Sequence, residues 1–251
     1  MYIEKYIEGA RHIEFQILAD KYQNVVHLGE RDCSTQRRHQ KMIEEAPSCI
    51  IGEKLRKEMG EAAVKAARAA NYENAGTIEF ILDKYGNYYF IEMNTRIQVE
   101  HGVTELVTGI DLVKEQIKIA AGEALAFSQE DIKITGHAIE CRINAECPER
   151  NFMPSPGTIQ KLHFPGGNGV RIDSALYAGY TIPAMYDSLV AKLMVYDKTR
   201  EEAIGKMSGV LDELIIEGID TNTKFLYDLI QHPDFHKGKI DTGFVERVIA
   251  K

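Results

Sequence analysis

The chain has 251 residues, 44% hydrophobic and 27% charged, with 30 basic against 38 acidic side chains for a formal charge of −8. An acidic chain lacks the global positive field that draws proteins to nucleic acid or anionic membranes, and no apolar run approaches the roughly 18 residues of a membrane-spanning helix. Cys33, Cys49, Cys141 and Cys147 form no C-x-x-C pair and the opening MYIEKYIEGARHIEF has no signal-peptide core, so a cytoplasmic protein with buried thiols and without nucleic-acid or membrane partners is expected.

Ile13, Phe15 and Ile17 alternate with His12, Glu14 and Gln16, the period-2 pattern of a half-buried strand. Residues 20–24 read as a turn and 25–28 as the return strand. Over 53–70, Leu55, Met59, Ala62, Ala63 and Ala66 share one helical face. Strands follow at 76–82 and 88–94, joined by the turn-forming residues 83–87. Asp111 begins a helix through Ala121, with Gly122 as its terminator. A second part starts near Gly136. It has strands at 137–145 and 188–196, a Pro154-Ser155-Pro156-Gly157 loop and a Gly-Gly break at 166–167. A helix over 199–216 has Thr199 as N-cap with Glu201 and Glu202 in its first turn, and short helices lie at 222–231 and 241–250. The mixture predicts an α+β protein in two parts, divided between 123 and 136.

Centring the 76–94 turn on Tyr85-Gly86 sets Leu82 opposite Tyr89, Phe80 opposite Ile91 and Ile78 opposite Met93, an apolar face. On the other face Glu79 lies opposite Glu92, with Asn94 two residues along. Like charges across a strand pair repel, and a hard divalent cation reverses that cost, because Mg²⁺ prefers carboxylate and amide oxygens. A solvated hairpin face with both glutamates in water is the alternative.

Arg31, Arg37, Arg38, His39 and Lys41 fall within ERDCSTQRRHQK, a candidate anion site or else an exposed, salt-bridged loop. In EMNTRIQVEH, the polar residues Glu92, Asn94, Arg96, Gln98 and Glu100 alternate, and an extended backbone would project all five from one face.

ERDCSTQRRHQK, IEMNTRIQVEH, GHAIECRINAE and the PSPG loop together resemble the biotin carboxylase family, over essentially the whole chain. The resemblance implies an ATP-grasp ligase that makes carboxybiotin from ATP, bicarbonate and biotin, with residues 1–133 as the C-terminal half of an ATP-grasp domain and 134–251 as the biotin carboxylase C-terminal domain. It implies that Glu79 and Glu92, assisted by Asn94, hold Mg²⁺ or Mn²⁺ with the nucleotide phosphates. Lys41, Arg96, Gln98 and the backbone of Val99 match bicarbonate contacts, and Glu100 the general base that deprotonates bicarbonate for attack on the γ-phosphate. Arg142 matches the arginine that stabilises the biotin enolate. Glu4, Lys5 and Ile7 match adenine contacts, Ile81 a leucine on the other side of the base, and His12, Gln36 and His39 ribose and phosphate contacts. For His12 the strand pattern alone equally permits an exposed histidine. Arg171 aligns near the family's dimer interface.

The family's dinucleotide-fold-like N-terminal domain, phosphate-covering lid and part of its biotin pocket have no counterpart here, and the chain opens as if inside a strand. A C-terminal portion with little activity alone is therefore expected. Implied partners are a biotin carboxyl carrier protein, a carboxyltransferase and, for the full-length protein, a second copy. HLGERDCS and EEAPS lean towards acetyl-CoA carboxylase and fatty acid biosynthesis, with pyruvate or propionyl-CoA carboxylase as alternatives. Two other readings are a carbamoyl-phosphate or purine-pathway ATP-grasp ligase, and a non-catalytic dimerisation or carrier-docking module.

Overall fold

The alternation at 12–17 places its two residue sets on opposite faces of strand β1 (Arg11–Ala19), the centre of an antiparallel sheet. The computed structural model describes residue 3 and residues 5–250, and the chain divides into two units, Met1–Gly136 with Ile240–Lys251, and His137–Lys239. In the first unit, β2 (Val25–Arg37) and β3 (Gln40–Ala46) extend the sheet on one side of β1. On the other side lie β4 (Asn74–Leu82) and β5 (Tyr88–Asn94), giving the order β3-β2-β1-β4-β5.

One sheet face carries Ile13, Phe15, Ile17, Ile78, Phe80 and Leu82 and buries them against Met59, Ala63 and Ala67 of α1 (Glu53–Ala69). Phe80 lies edge-to-face with both Phe15 and Tyr88, at 6.1 and 5.6 Å between ring centroids, an arrangement aromatic quadrupoles favour. The expected half-buried β1 is in fact buried on both faces. The second face is covered by α2 (His101–Thr108) and α3 (Leu112–Ala120), where Leu112 and Ile119 join Leu18, Val26, Leu28 and Ala75 in a smaller core. Asp111 caps α3 as expected, its carboxylate accepting from Lys114 N at 2.8 Å.

Four expectations need correction. The return strand runs to Arg37, nine residues past its expected end, and 40–46 forms a further strand. The arginine-rich stretch is thus a hairpin whose turn, Arg38-His39, has φ of 49° and 64°. The β4–β5 register holds at Thr77–Asn94, Ile78–Met93 and Glu79–Glu92, then slips by one, so that Phe80 faces Phe90 and Leu82 faces Tyr88. A bulge beside Glu79 causes the slip, and it turns Tyr88 rather than Tyr89 into the apolar core. The extended array stops at Asn94, because 95–100 is a loop leading into α2. The helix expected over 199–216 ends at Glu213, and Ile215–Glu217 instead pairs as a strand with Lys161–His163.

In the second unit β6 (His137–Asn144) pairs with the strand Leu189–Asp197, which pairs in turn with Val170–Ser174. Helix α4 (Arg200–Glu213) starts with a Thr199–Glu202 capping box and covers this sheet, and α5 (Thr223–Gln231) packs on α4. The helix Phe244–Ile249 returns to the first unit against β2. Among the described residues, no helix is long and apolar enough to cross a membrane.

The α1–β2 contact is close enough to predict a steric outcome. A Cβ on the buried Gly60 would sit 2.4 Å from His27 Nε2, and the ring is held by an edge-to-face contact with Phe15. Gly60→Ala is expected to lower stability by about 1–3 kcal/mol despite the better helix propensity of alanine, as measured by urea unfolding.

Candidate active site

Strand register sets four charged residues in one row across the sheet of the first unit. Glu92 on β5 faces Glu79 on β4, Glu79 faces Glu14 on β1, and Glu14 faces Arg31 on β2. Three adjacent carboxylates are unstable unless cations or donors compensate them.

The compensation comes from three side chains. Lys41, near the start of β3, spends its three donors on three carboxylates: Glu14 Oε2 at 2.5 Å, Glu100 Oε1 at 2.6 Å and Glu79 Oε1 at 3.2 Å. Arg31 Nε donates to Glu14 Oε1 at 2.5 Å. The Gln36 amide donates to His12 Nδ1 at 3.2 Å, so the opposite ring nitrogen, Nε2, carries the proton donated to Glu79 Oε2 at 2.7 Å. Burial on its own would raise the Glu79 carboxyl, but the His12 hydrogen bond and the Lys41 charge outweigh it and lower its pKa to about 2. The same contest at Glu14, burial against Arg31 and Lys41, also ends well below the usual carboxylate range. Burial opposes the Lys41 ammonium, yet Glu14 and the other anions around it raise its pKa.

Asn94 Nδ2 donates to Glu79 Oε1 at 3.0 Å and to Glu92 Oε1 at 3.1 Å, so one small group reaches both carboxylates. Glu92 is exposed and Glu79 buried. The carboxylates of Glu79 and Glu92, paired across β4 and β5, are oxygen ligands of the kind that a hard cation such as Mg²⁺ prefers. Gln98 Nε2 also donates to Glu79 Oε1, at 2.8 Å, although Gln98 lies in the loop beyond the bulged hairpin.

His12, Gln36, Lys41, Glu79, Glu92, Asn94, Gln98 and Glu100 therefore form one connected group. Arg96 joins only at its edge, exposed, with Nη2 donating to Asn94 Oδ1 at 3.3 Å. Val99 is half-buried in the turn before α2. Lys5 lies with its ammonium 5.9 Å from the centroid of the Tyr89 ring, a cation–π contact, Ile7 and Ile81 are half-buried, and His39 is exposed on the β2–β3 turn. Glu4 lies outside the described residues. Arg142 is a half-buried residue of β6 in the second unit, directly opposite Lys192, and Arg171 forms a two-pronged pair with Asp173 at 3.0 Å.

Two residues bonded to this group are not given their roles by sequence reasoning. Glu14 belongs to the polar set of β1, and the register sum that pairs Glu79 with Glu92 has no counterpart for strands as far apart in sequence as β1 and β4. Arg31 falls among the candidate anion-binding arginines, but it is fully buried and its five N–H groups are all committed to protein acceptors.

Comparison with known proteins decides the family. Residues 1–128 match the family model for the carbamoyl-phosphate synthase L chain ATP-binding domain, which alone leaves the carbamoyl-phosphate reading open. Residues 140–247 match the biotin carboxylase C-terminal domain. The chain belongs to the biotin carboxylase family. Its fold is an ATP-grasp domain followed by the biotin carboxylase C-terminal domain. The chain is 58% identical over 247 residues to biotin carboxylase 1 of Bacillus subtilis, covering 98% of this chain and 55% of that protein. It is 56% identical over 246 residues to a pyruvate carboxylase subunit from Methanothermobacter thermautotrophicus, covering 98% and 50%. A solved biotin carboxylase domain dimer, from the Hydrogenobacter thermophilus 2-oxoglutarate carboxylase in complex with MgADP, ADP and bicarbonate, aligns with a TM-score of 0.96. That match is 53% identical and covers 97% of this chain and 54% of the other. The chain thus spans about half the length of the curated relatives it matches.

Proposed function

We propose that the chain carries the metal, bicarbonate and base residues of an enzyme that carboxylates biotin on a carrier protein, using ATP and bicarbonate. The observation that carries this reading is the convergence of Glu14, Glu79 and Glu100 on the single ammonium of Lys41, beside the Glu79–Glu92 pair. A Mg²⁺ or Mn²⁺ ion held by Glu79 and Glu92, with Asn94, supplies charge neutralisation for phosphoryl transfer. Lys41, Arg96, Gln98 and the Val99 backbone hold bicarbonate, and Glu100 accepts its proton as a bicarbonate oxygen attacks the γ-phosphate. ADP leaves and carboxyphosphate forms, then breaks at its C–O bond into CO₂ and phosphate. The phosphate takes the proton from biotin, and Arg142 stabilises the enolate that captures CO₂. His12, Gln36, His39, Glu4, Lys5, Ile7 and Ile81 hold the nucleotide.

In this reading residues 1–133 and 134–251 act as the two domains of a cytoplasmic enzyme, dimeric as a full-length protein, that serves a biotin carboxyl carrier protein and a carboxyltransferase. The first half-reaction of acetyl-CoA carboxylase, and so fatty acid biosynthesis, is the assignment proposed. The likeness to a protein of pyruvate carboxylase favours pyruvate as the second acceptor to test. Because the chain corresponds to about half of its relatives, it is expected to release little ADP alone.

The test is ADP release by the protein carrying this chain, given ATP, Mg²⁺, bicarbonate and free biotin. Release that needs both bicarbonate and biotin is expected. Ammonia-dependent carbamate formation with no response to biotin overturns the proposal. Undetectable metal–nucleotide binding together with tight self-association favours a dimerisation module instead.

A further inference from the structure

Arg31 sits within β2 with its side chain wholly buried. A guanidinium has five N–H donors fixed in one plane, and each has an acceptor here. Nε donates to Glu14 Oε1 at 2.5 Å, and Nη1 to Gln16 Oε1 at 2.7 Å and Thr104 Oγ1 at 3.0 Å. Nη2 donates to Gln98 Oε1 at 3.1 Å and Thr77 Oγ1 at 3.2 Å. The acceptors belong to β1, β4, α2 and the 95–100 loop, so one rigid fork ties four segments together.

The link to Gln98 has a chemical direction. Arginine can only donate, so the Gln98 oxygen must face it, and the Gln98 NH₂ is left facing Glu79 Oε1 at 2.8 Å. With the amide reversed, N–H would meet N–H at Arg31. The same guanidinium holds one oxygen of Glu14 while Lys41 holds the other. A buried charge of this kind is a costly way to fill space, since well-packed apolar side chains of similar volume often serve stability equally well. What a planar five-donor fork supplies in addition is orientation.

We infer that Arg31 is a positioning residue for bicarbonate use: it fixes the donor face of Gln98 and the carboxylate of Glu14, and through Glu14 the placement of Lys41. Its kinetic consequence rests on the proposed function, whereas its effect on the loop does not.

Arg31→Lys keeps the charge beside Glu14 but supplies three donors and no planar fork. In the full-length protein it is expected to raise the KM for bicarbonate about tenfold or more while the KM for ATP changes less than about twofold. Arg31→Lys combined with Gln98→Ala is expected to fall short of the product of the two single effects, because both disturb the donor face of Gln98. Thr77→Val, a milder change at one acceptor, is expected to shift the bicarbonate KM in the same direction by a smaller factor and serves if Arg31→Lys does not fold. Hydrogen exchange on the 251-residue chain gives a readout independent of turnover: faster exchange confined to 95–104, with α1 still protected, is expected. Equal rises in both KM values, multiplicative effects in the double variant, or exchange that is unchanged or faster throughout the first unit overturn the inference. A wild-type protein without bicarbonate-dependent turnover overturns the proposed function, and the exchange pattern then decides the role of Arg31.

Discussion

Lys41→Met is expected to lower stability by about 3–5 kcal/mol near pH 7 and to reduce biotin carboxylation by about 10²–10³-fold. The size follows from what the ammonium compensates. Glu14, Glu79 and Glu100 each place an oxygen within 3.2 Å of Lys41 Nζ, and all three are buried. Methionine fills a similar volume and leaves those anions facing one another. The sign of the pH dependence can be worked out from Glu79. Its folded pKa, about 2, lies below the ordinary 4.5, so in the wild type its stabilisation is present above pH 4.5 and is lost as pH falls towards 2. Without the Lys41 charge, Glu14 and Glu79 take up protons at higher pH. The deficit of Lys41→Met is therefore expected to shrink between pH 7 and pH 4.5 in urea unfolding, and a deficit that stays constant over that range contradicts the compensation argument.

Glu79→Gln is the second large effect, and it is nearly isosteric. Lys41, Asn94 and Gln98 all donate to Glu79 Oε1, and His12 Nε2 donates to Oε2. A carboxamide accepts only at its oxygen, so either orientation of the new NH₂ opposes at least one of these donors. Loss of about 1–3 kcal/mol in stability and about 10–100-fold in affinity for the Mg²⁺–nucleotide is expected. Glu92→Gln provides the contrast. Glu92 is exposed on the edge strand, so its loss is expected to weaken metal–nucleotide binding while stability changes by less than about 0.5 kcal/mol. Calorimetric titration of the full-length protein with Mg²⁺ and ATP, alongside urea unfolding, separates the two. Equal stability losses for both variants contradict the distinction between a buried and an open ligand.

How far the sequence reaches depends on the range of the interactions involved. The Glu79–Glu92 pairing followed from centring the turn on Tyr85-Gly86, and it held because the bulge beside Glu79 offsets the five-residue turn that pairs Leu82 with Tyr88 and Phe80 with Phe90. The α1 helix was legible from periodicity alone. β3 was not, because the arginines before it read as a loop and the left-handed turn at Arg38-His39 carries no glycine to announce it. Strand alternation carried Glu92 and Asn94 correctly but failed from Arg96 onwards, where the backbone leaves the sheet. Gln98 nevertheless reaches Glu79 and Glu100 reaches Lys41, through a loop that no periodicity describes. Glu14 meets Glu79 through the pairing of β1 with β4, far apart in the chain, and Arg31 meets Glu14 because β2 runs past the expected end of the return strand at Leu28. Only the assembled sheet shows that they complete the row begun by Glu92 and Glu79.

The central claim is that a bicarbonate oxygen, placed beside Lys41 and Glu100, attacks the γ-phosphate. Oxygen tracing in the full-length protein tests it most directly. Bicarbonate labelled with ¹⁸O, turned over with ATP, Mg²⁺ and biotin, is predicted to leave one labelled oxygen on each phosphate released, because the attacking oxygen stays on phosphorus when carboxyphosphate breaks at its C–O bond. Phosphate whose one added oxygen comes from solvent, with the bicarbonate label absent from it, would contradict the account.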